Sequence, residues 1–312
     1  MLLYFGQSAE ISGGAAFLLR NSGLKSIIKA GSGERSQVRK DGCGMKIIEF
    51  FGLRVKPRIT KGKHMFKPLE TGALWEGCFA IRDKDGNCFL LRTDRGYLAI
   101  DAGYKRSANV RMGLETLGID PCQVHTVFLT HLDIDHAGGM DVEAGEIFPG
   151  AEIYLSREEN EYLKGTIFRK EIGSIHCRMP IRLREDRKLL EDREKVRCGG
   201  IIVEAVYAPG HSAGHTAYRI GENLFVGDCL ISDGEAGWCF YDFWNWDTEK
   251  NRETLAMLEG YCRDQGIRRV ITSHSGILPP DRAFVHREES PQWRKKGFQG
   301  IPGAMEDPYG EP

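Results

Sequence analysis

Seven side chains carry the most reactive chemistry in this sequence, and they sit in short segments far apart along the chain. THLDIDHAGG places His131, Asp133, Asp135 and His136 within six residues; PGHSAGH brings His211, GDCL brings Asp228 and TSHSG brings His274. Imidazole nitrogens and carboxylates are the usual protein ligands of zinc and other first-row divalent metals. Four such groups within six residues crowd a single tetrahedral ion. Sharing them between two ions, each completed by a later segment, is the easier geometry. Alternation along an extended chain puts 131, 133 and 135 on one side, with His136 at the turn into a helix. Gly138-Gly139 then permits a sharp turn beneath the metals. Each piece alone is bland: a loop histidine is usually solvated, Asp135 fits a helix N-cap, and PGHSAGH makes a serviceable turn. Only the whole set, with every member ending a β-rich run, points to a site.

Those runs are the elements that must position the site. GCFAIRD and NCFLLRTD read as strands of a hairpin turning at Asp85-Gly86, and GYLAIDAG as a third strand ending at Asp101 and Gly103. RSANVRMGLETLGI has helical apolar spacing with Gly118 as C-cap, and the apolar strand VHTVFLT runs straight into His131. AEIYLS is a strand leading to a helix at Ser156, where Glu159 completes an S-x-x-E capping box. The charged stretch 166–197 reads as a helix and a loop over one face. Strands resume at GIIVEAVYAPG, TAYRI and NLFVGDCL, and a long helix over 247–265 precedes RRVITSHSG. Domain boundaries are expected at 45–289. Residues 1–44 form an N-terminal extension, either a small appendage or a poorly ordered segment ahead of a functional start at Met45. Met45 opens a strand-like run, MKIIEFFGLRV, and 290–312 reads as a flexible tail.

Bulk properties narrow the class. The 312 residues suit one large α/β domain, and a hydrophobic content of 41% supports a sizeable core. With 43 basic against 44 acidic residues the formal net charge is −1, so no global basic surface invites nucleic acid or a membrane. Nine cysteines without a CxxC pair fit reduced thiols in a cytoplasmic enzyme. The opening segment lacks a basic n-region, and Gln7, Ser8 and Glu10 interrupt the apolar core of any signal peptide. No apolar run approaches the ~20 residues a membrane span needs. The expected partner is a small-molecule substrate; the oligomeric state is left open.

In this order the motifs resemble the metallo-β-lactamase superfamily: Asp101 in IDAG, the His131–His136 cluster, His211, Asp228 and His274. The resemblance covers roughly residues 66–280. It implies an α/β chain folded as an αβ/βα four-layer sandwich, two mixed β-sheets flanked by helices, with the metals at one edge. It also implies that His131, Asp133 and His211 hold a first metal and that Asp135, His136 and His274 hold a second, with Asp228 bridging. Asp101 and His215 would stand behind the ligands, Asp101 ordering the metal loop. Asp133 occupies a position where the family pattern has histidine. A carboxylate makes that site harder and more anionic, so two divalent ions are implied, zinc first, with iron or manganese compatible.

The resemblance further implies a metal-dependent hydrolase of the acyl-homoserine lactonase and glyoxalase II branch. Its metal-bound hydroxide would attack a small carboxylic ester, lactone or thioester, with Asp135 orienting the nucleophile and passing a proton. The lactonases carry a tyrosine three positions after the bridging aspartate, where this chain has Ile231. Alternatives on the same fold are a metal-dependent oxidoreductase (sulfur dioxygenase-like or flavodiiron-like) and a phosphodiesterase. The aromatic stretch GWCFYDFWNWD offers Phe240 and Trp244 as pocket walls or as core, and Trp75 is a similar candidate.

Overall fold

Strands that are apolar at every position must be covered on both faces, and the run Cys88-Phe89-Leu90-Leu91 behaves this way. Cys88 and Leu90 pack on one side of their sheet, Phe89 and Leu91 on the other. The computed structural model describes residues 66–172 and 175–291, together with 49, 50, 53, 54 and 56, without the side chains of 170–177. The extension at 1–44 and most of the expected tail lie outside the described residues. Ser290 does not behave as tail: it is buried, and its hydroxyl donates to the Phe240 carbonyl at 2.9 Å.

In chain order, β1 (Gly72–Trp75), β2 (Cys78–Asp83), β3 (Gly86–Thr93) and β4 (Gly96–Ile100) form a meander. Helix α1 (Ala108–Leu117) leads to β5 (Val124–Phe128), and β6 (Glu152–Ser156) runs into α2 (Arg157–Lys164). The hairpin β7 (Lys170–Ile172) and β8 (Ile175–Cys177) and the short strand β9 (Lys188–Leu190) follow. The remaining elements are β10 (Lys195–Cys198), β11 (Ile201–Tyr207), β12 (Thr216–Ile220), β13 (Asn223–Gly227), β14 (Leu230–Ser232), β15 (Gly237–Cys239), α3 (Thr248–Asp264), β16 (Arg269–Thr272), β17 (Gly276–Leu278) and α4 (Pro280–Ala283).

Two mixed sheets result. One has seven strands in the order β1-β2-β3-β4-β5-β6-β9, the other six in the order β10-β11-β12-β13-β16-β17. Phe89, Leu98, Ile100 and Phe128 of the first sheet meet Val203, Tyr218, Phe225 and Ile271 of the second to form the central core. Val110 and Leu114 of α1 cover the outer face of the first sheet, and Leu255 and Leu258 of α3 that of the second. The layers are therefore helix, sheet, sheet, helix: an αβ/βα sandwich of the α/β class.

Strand direction gathers the site. β4 and β5 are parallel, as are β13 and β16, and β11 points the same way as β13 because two antiparallel steps separate them. All five strands end at one edge of the sandwich, just before Asp101, His131, Asp228, His274 and His211 respectively. Gly139 makes the local path possible, since a Cβ there would stand 2.1 Å from the Ala102 carbonyl.

Several local expectations are corrected. Glu49, Phe50, Leu53, Arg54 and Lys56 are helical, not extended. Residues 166–197 contain short strands and, among the described residues, no helix. The hairpin between β2 and β3 turns at Lys84-Asp85, one residue early, because Gly86 still pairs with Asp83. Segment 131–136 is not extended: the His136 and Ala137 amides both donate to the Asp133 carbonyl at 3.0 Å, so the chain coils through the cluster. His136 leads into a 3-10 turn, Gly138–Met140, not an α-helix.

Ser156 does cap α2, accepting from the Glu159 amide at 3.0 Å, but Glu159 does not return the bond. Its fully buried carboxylate accepts instead from the Leu132 amide at 2.8 Å, the Ser212 hydroxyl at 2.7 Å and the Gly214 amide at 3.2 Å. One side chain thus staples the first histidine loop to the second. Glu159→Ala strands these donors in a dry interior, and a buried donor without a partner costs about 1–3 kcal/mol. The variant is expected to lose about 3 kcal/mol of unfolding free energy in urea and to bind metal more weakly than the parent chain.

Candidate metal centre

Every histidine of the predicted ligand set has its inner nitrogen engaged by a neighbour. His136 Nδ1 lies 2.9 Å from Asp101 Oδ2, and Asp101 also accepts from the Thr130 amide at 2.8 Å. The Thr130 hydroxyl donates to Asp101 and so is left to accept from His131 Nδ1 at 3.0 Å. His274 Nδ1 donates to the Asp85 carbonyl, and His211 Nδ1 faces Asn245 Oδ1 at 3.3 Å. Asn245 donates through its amide nitrogen to the Phe240 carbonyl, which leaves that oxygen as the acceptor. A proton on Nδ1 leaves Nε2 with a bare lone pair, the form in which imidazole binds metals. Asp101 reaches His136 and Thr130 from a left-handed backbone, φ 60°, a strained conformation for a non-glycine residue.

The four lone pairs and three carboxylates converge. His136 Nε2 stands 3.5 Å from Asp135 Oδ2 and 3.4 Å from Asp228 Oδ1; His274 Nε2 stands 3.4 Å from Asp135 Oδ2 and 3.2 Å from Asp228 Oδ2. Donors about 2.1 Å from a tetrahedral ion lie about 3.4 Å apart. His131 Nε2 and Asp133 Oδ2 are separated by 3.5 Å, and His211 Nε2 lies 3.2 Å from Asp133 Oδ2 and 3.7 Å from Asp228 Oδ2. Three overlapping groups, His131-Asp133-His211, His131-His136-Asp228 and Asp135-His136-His274, could each hold an ion; divided as the resemblance implies, they would make two cages sharing Asp228. Among the described residues, His131 Nε2, His136 Nε2, His274 Nε2 and both Asp228 oxygens are buried without any hydrogen-bond partner. Buried polar atoms are rarely left so, and bound cations would satisfy them. The donor set fits the metals that the sequence implies.

Two protein cations stand against these cages. Buried Arg169 forks onto Asp133, Nε to Oδ1 at 3.0 Å and Nη2 to Oδ2 at 3.1 Å; Nη2 also contacts His211 Nε2 at 3.0 Å and the Trp244 carbonyl at 2.8 Å. Lys56 pairs with Asp135 Oδ2 and lies 5.6 Å from the Trp244 ring centre. Burial by itself would raise both carboxyls, but Arg169 and Lys56 outweigh it and hold Asp133 and Asp135 well below the usual carboxylate range. Burial, aided by the Arg169 charge, pushes His211 down to about 3. Burial also opposes charging of His274, yet Asp228 and Asp135 lift it to about 9. The cage attracts positive charge.

Aromatic rings cover the histidines. Phe66 lies 4.7 Å from the His274 ring, Phe240 4.9 Å from His211, and both rings meet Trp244 at 5.6 and 6.1 Å. Phe240 and Trp244 are therefore brought to the metal residues, with buried Ile231 in the same cluster. Trp75 is not: its ring lies under Arg269, at the opposite end of β16 from His274, half-buried against the core between the sheets. His215 stands behind the ligands, accepting from the Asp228 amide at 3.2 Å, with its Nδ1 3.2 Å from Cys229 Sγ. Lys56, Phe66, Glu159 and Arg169 were missed. Glu159 and Arg169 lie in charged stretches where a solvated role is the ordinary reading. Only the unreturned S-x-x-E pattern hints at Glu159.

A sequence model of the metallo-beta-lactamase superfamily matches residues 81–261. A hydroxyacylglutathione hydrolase of Aeromonas hydrophila is 29% identical over 150 residues, 48% of this chain and 48% of that protein. A probable polyketide biosynthesis zinc-dependent hydrolase of Bacillus velezensis is 26% identical over 162 residues, 52% of this chain and 58% of that protein. The chain thus spans about half the length of the curated relatives it matches. A metallo-beta-lactamase family protein from Thermus thermophilus superposes with a TM-score of 0.51 at 22% identity, covering 67% of this chain and 77% of the other, and so shares the fold. With the family match extending from β2 into α3 across the ligand-bearing segments up to Asp228, this chain belongs to the metallo-beta-lactamase superfamily.

Proposed function

We propose that the chain is a metal-dependent hydrolase of small acyl compounds, with a thioester favoured over a lactone or a simple ester. The observation that carries the reading is the convergence of buried, partnerless imidazole nitrogens on Asp228. His131, Asp133 and His211 would hold one divalent ion, Asp135, His136 and His274 a second, and Asp228 would bridge them. Bound there, such ions supply Lewis acidity and make a water acidic enough to ionise near neutral pH. Zinc is the favoured metal, in keeping with the zinc-dependent relative.

The chain's own groups do the rest. Asp135 Oδ2, kept ionised by Lys56, is the acceptor that orients the attacking water and takes its proton. Lys56 Nζ is the adjacent donor toward a leaving group. Phe66, Phe240 and Ile231 give the site a dry apolar wall suited to an acyl chain. Ile231 offers no hydroxyl where the lactonases carry tyrosine, which argues against a lactone. The hydroxyacylglutathione named in one relative is a thioester, which argues for that class.

The test is a panel of thioesters, esters, lactones and phosphodiesters, run on protein purified without added metal and after metal quantification. Thioester turnover should dominate, and His131→Ala or Asp135→Ala should lower kcat/KM by about a thousandfold or more while circular dichroism stays unchanged. Full activity of either variant, or of chelator-stripped protein, would sink the proposal. A pH dependence follows as well. His274, raised to about 9, carries a proton in the metal-free chain below that value, and a metal must displace it. Apparent metal affinity should therefore climb as pH rises from 6 toward 9, with proton release visible by calorimetry in buffers of different ionisation enthalpy.

A further inference from the structure

The two cages differ in who else claims their histidines. At the second centre no protein group claims the His136 and His274 Nε2 atoms among the described residues, so a metal there has only a proton to displace. Lys56 does pair with Asp135 there, but a carboxylate has lone pairs to spare for a cation on either side. At the first centre, His211 Nε2 faces Arg169 Nη2 at 3.0 Å and Asp133 Oδ2 at 3.2 Å. With its proton on Nδ1, toward Asn245, His211 has one lone pair left. Without a cation between them, Nε2 and the Asp133 oxygen would be two acceptors face to face, and Arg169 Nη2 supplies that cation.

We propose that Arg169 and a metal ion at the first centre compete for the single lone pair of His211. The centres then load in order: the second tightly, and the first only when Arg169 releases His211. This rests on the reading of the site as a metal centre. Asp133 is not the contested group, since it can keep the Arg169 fork through Oδ1 while offering Oδ2 to an ion. Nor must Arg169 leave. Its Nη2 has two hydrogens for three acceptors, Asp133 Oδ2, His211 Nε2 and the Trp244 carbonyl. Giving up His211 leaves the other two satisfied. The buried guanidinium stays beside the ion as a like charge, as Lys56 does at the second centre, so the difference between the centres rests on the contested lone pair. The asymmetry is thus built into the chain by one arginine.

The experiment titrates metal-stripped full chain with Zn2+ and with Co2+, reading bound equivalents by elemental analysis after gel filtration and affinities by chelator competition. Wild type should hold one equivalent tightly and a second at least about tenfold more weakly, the scale of one charge-assisted hydrogen bond. Arg169→Met should tighten the weak equivalent by about tenfold or more and leave the tight one unchanged. If that variant does not fold, Arg169→Gln, which removes the charge, is read in the same way. His211→Ala should keep the tight equivalent and lose the weak one. Two equivalents of similar affinity in wild type, or no tightening in a folded Arg169 variant, overturn the competition but spare the metal-centre reading. Loss of the tight equivalent in His211→Ala does the same. Absence of any tight equivalent in wild type overturns both.

Discussion

Three carboxylates, Asp135 and Asp228 buried and Asp133 half-buried, held close to four buried imidazoles require positive charge among them. That requirement governs the structure around the sheet edge. Asp133, Asp135 and Asp228 are brought within 3.7 Å of histidine nitrogens. Like charges in a low-dielectric setting repel strongly. The chain offers Lys56 and Arg169 to two of the three, and leaves Asp228 at the point both cages share. Burial that would ordinarily be prohibitive is tolerable because cations, the protein's own or bound ions, complete it.

The sandwich exists in the form that meets this demand. Five strand ends point the same way across two sheets, and the core between the sheets fixes their separation through contacts such as Phe89 on Phe225, with ring centres 5.3 Å apart. Hydrogen bonds then close the seam near the site. Tyr218 donates to the Leu129 carbonyl at 2.7 Å, the Thr216 amide to the Thr130 carbonyl at 2.9 Å, and the Asn87 amide to the Ser273 carbonyl at 2.7 Å. Each joins an element of one sheet to the loop of the other. The side chains that would hold metal are thus preset by their neighbours, which is what low reorganisation cost requires.

Much of this was legible in the residues, and the failures have physical causes. Strand ends could be read because apolar runs buried on both faces, such as VFL and NLFV, stop within two residues of His131 and Asp228. The candidate ligands could be singled out because histidine and aspartate at such ends have few other uses as a set. The path through 131–136 could not, since alternation assumes extended backbone and the amides of His136 and Ala137 fold back onto Asp133 instead. Trp75 failed because aromatic character marks burial as readily as a pocket. Lys56 and Arg169 were invisible for a deeper reason: a buried cation is defined by the anions around it, and those come from segments 79 and 36 residues away.

Arg169 is the structural answer to the sequence's one departure from its family pattern, the carboxylate of Asp133. A histidine at position 133 would have been a neutral ligand needing only an acceptor for its second nitrogen. An aspartate there adds a charge, and Arg169 meets it with a fork that a planar guanidinium forms and a lysine does not. The same fork reaches His211, so the change at one ligand is felt at another in the same cage. Asp133 and Arg169 are best regarded as one unit, a carboxylate and its counter-charge. Neither can be understood from its own position in the chain.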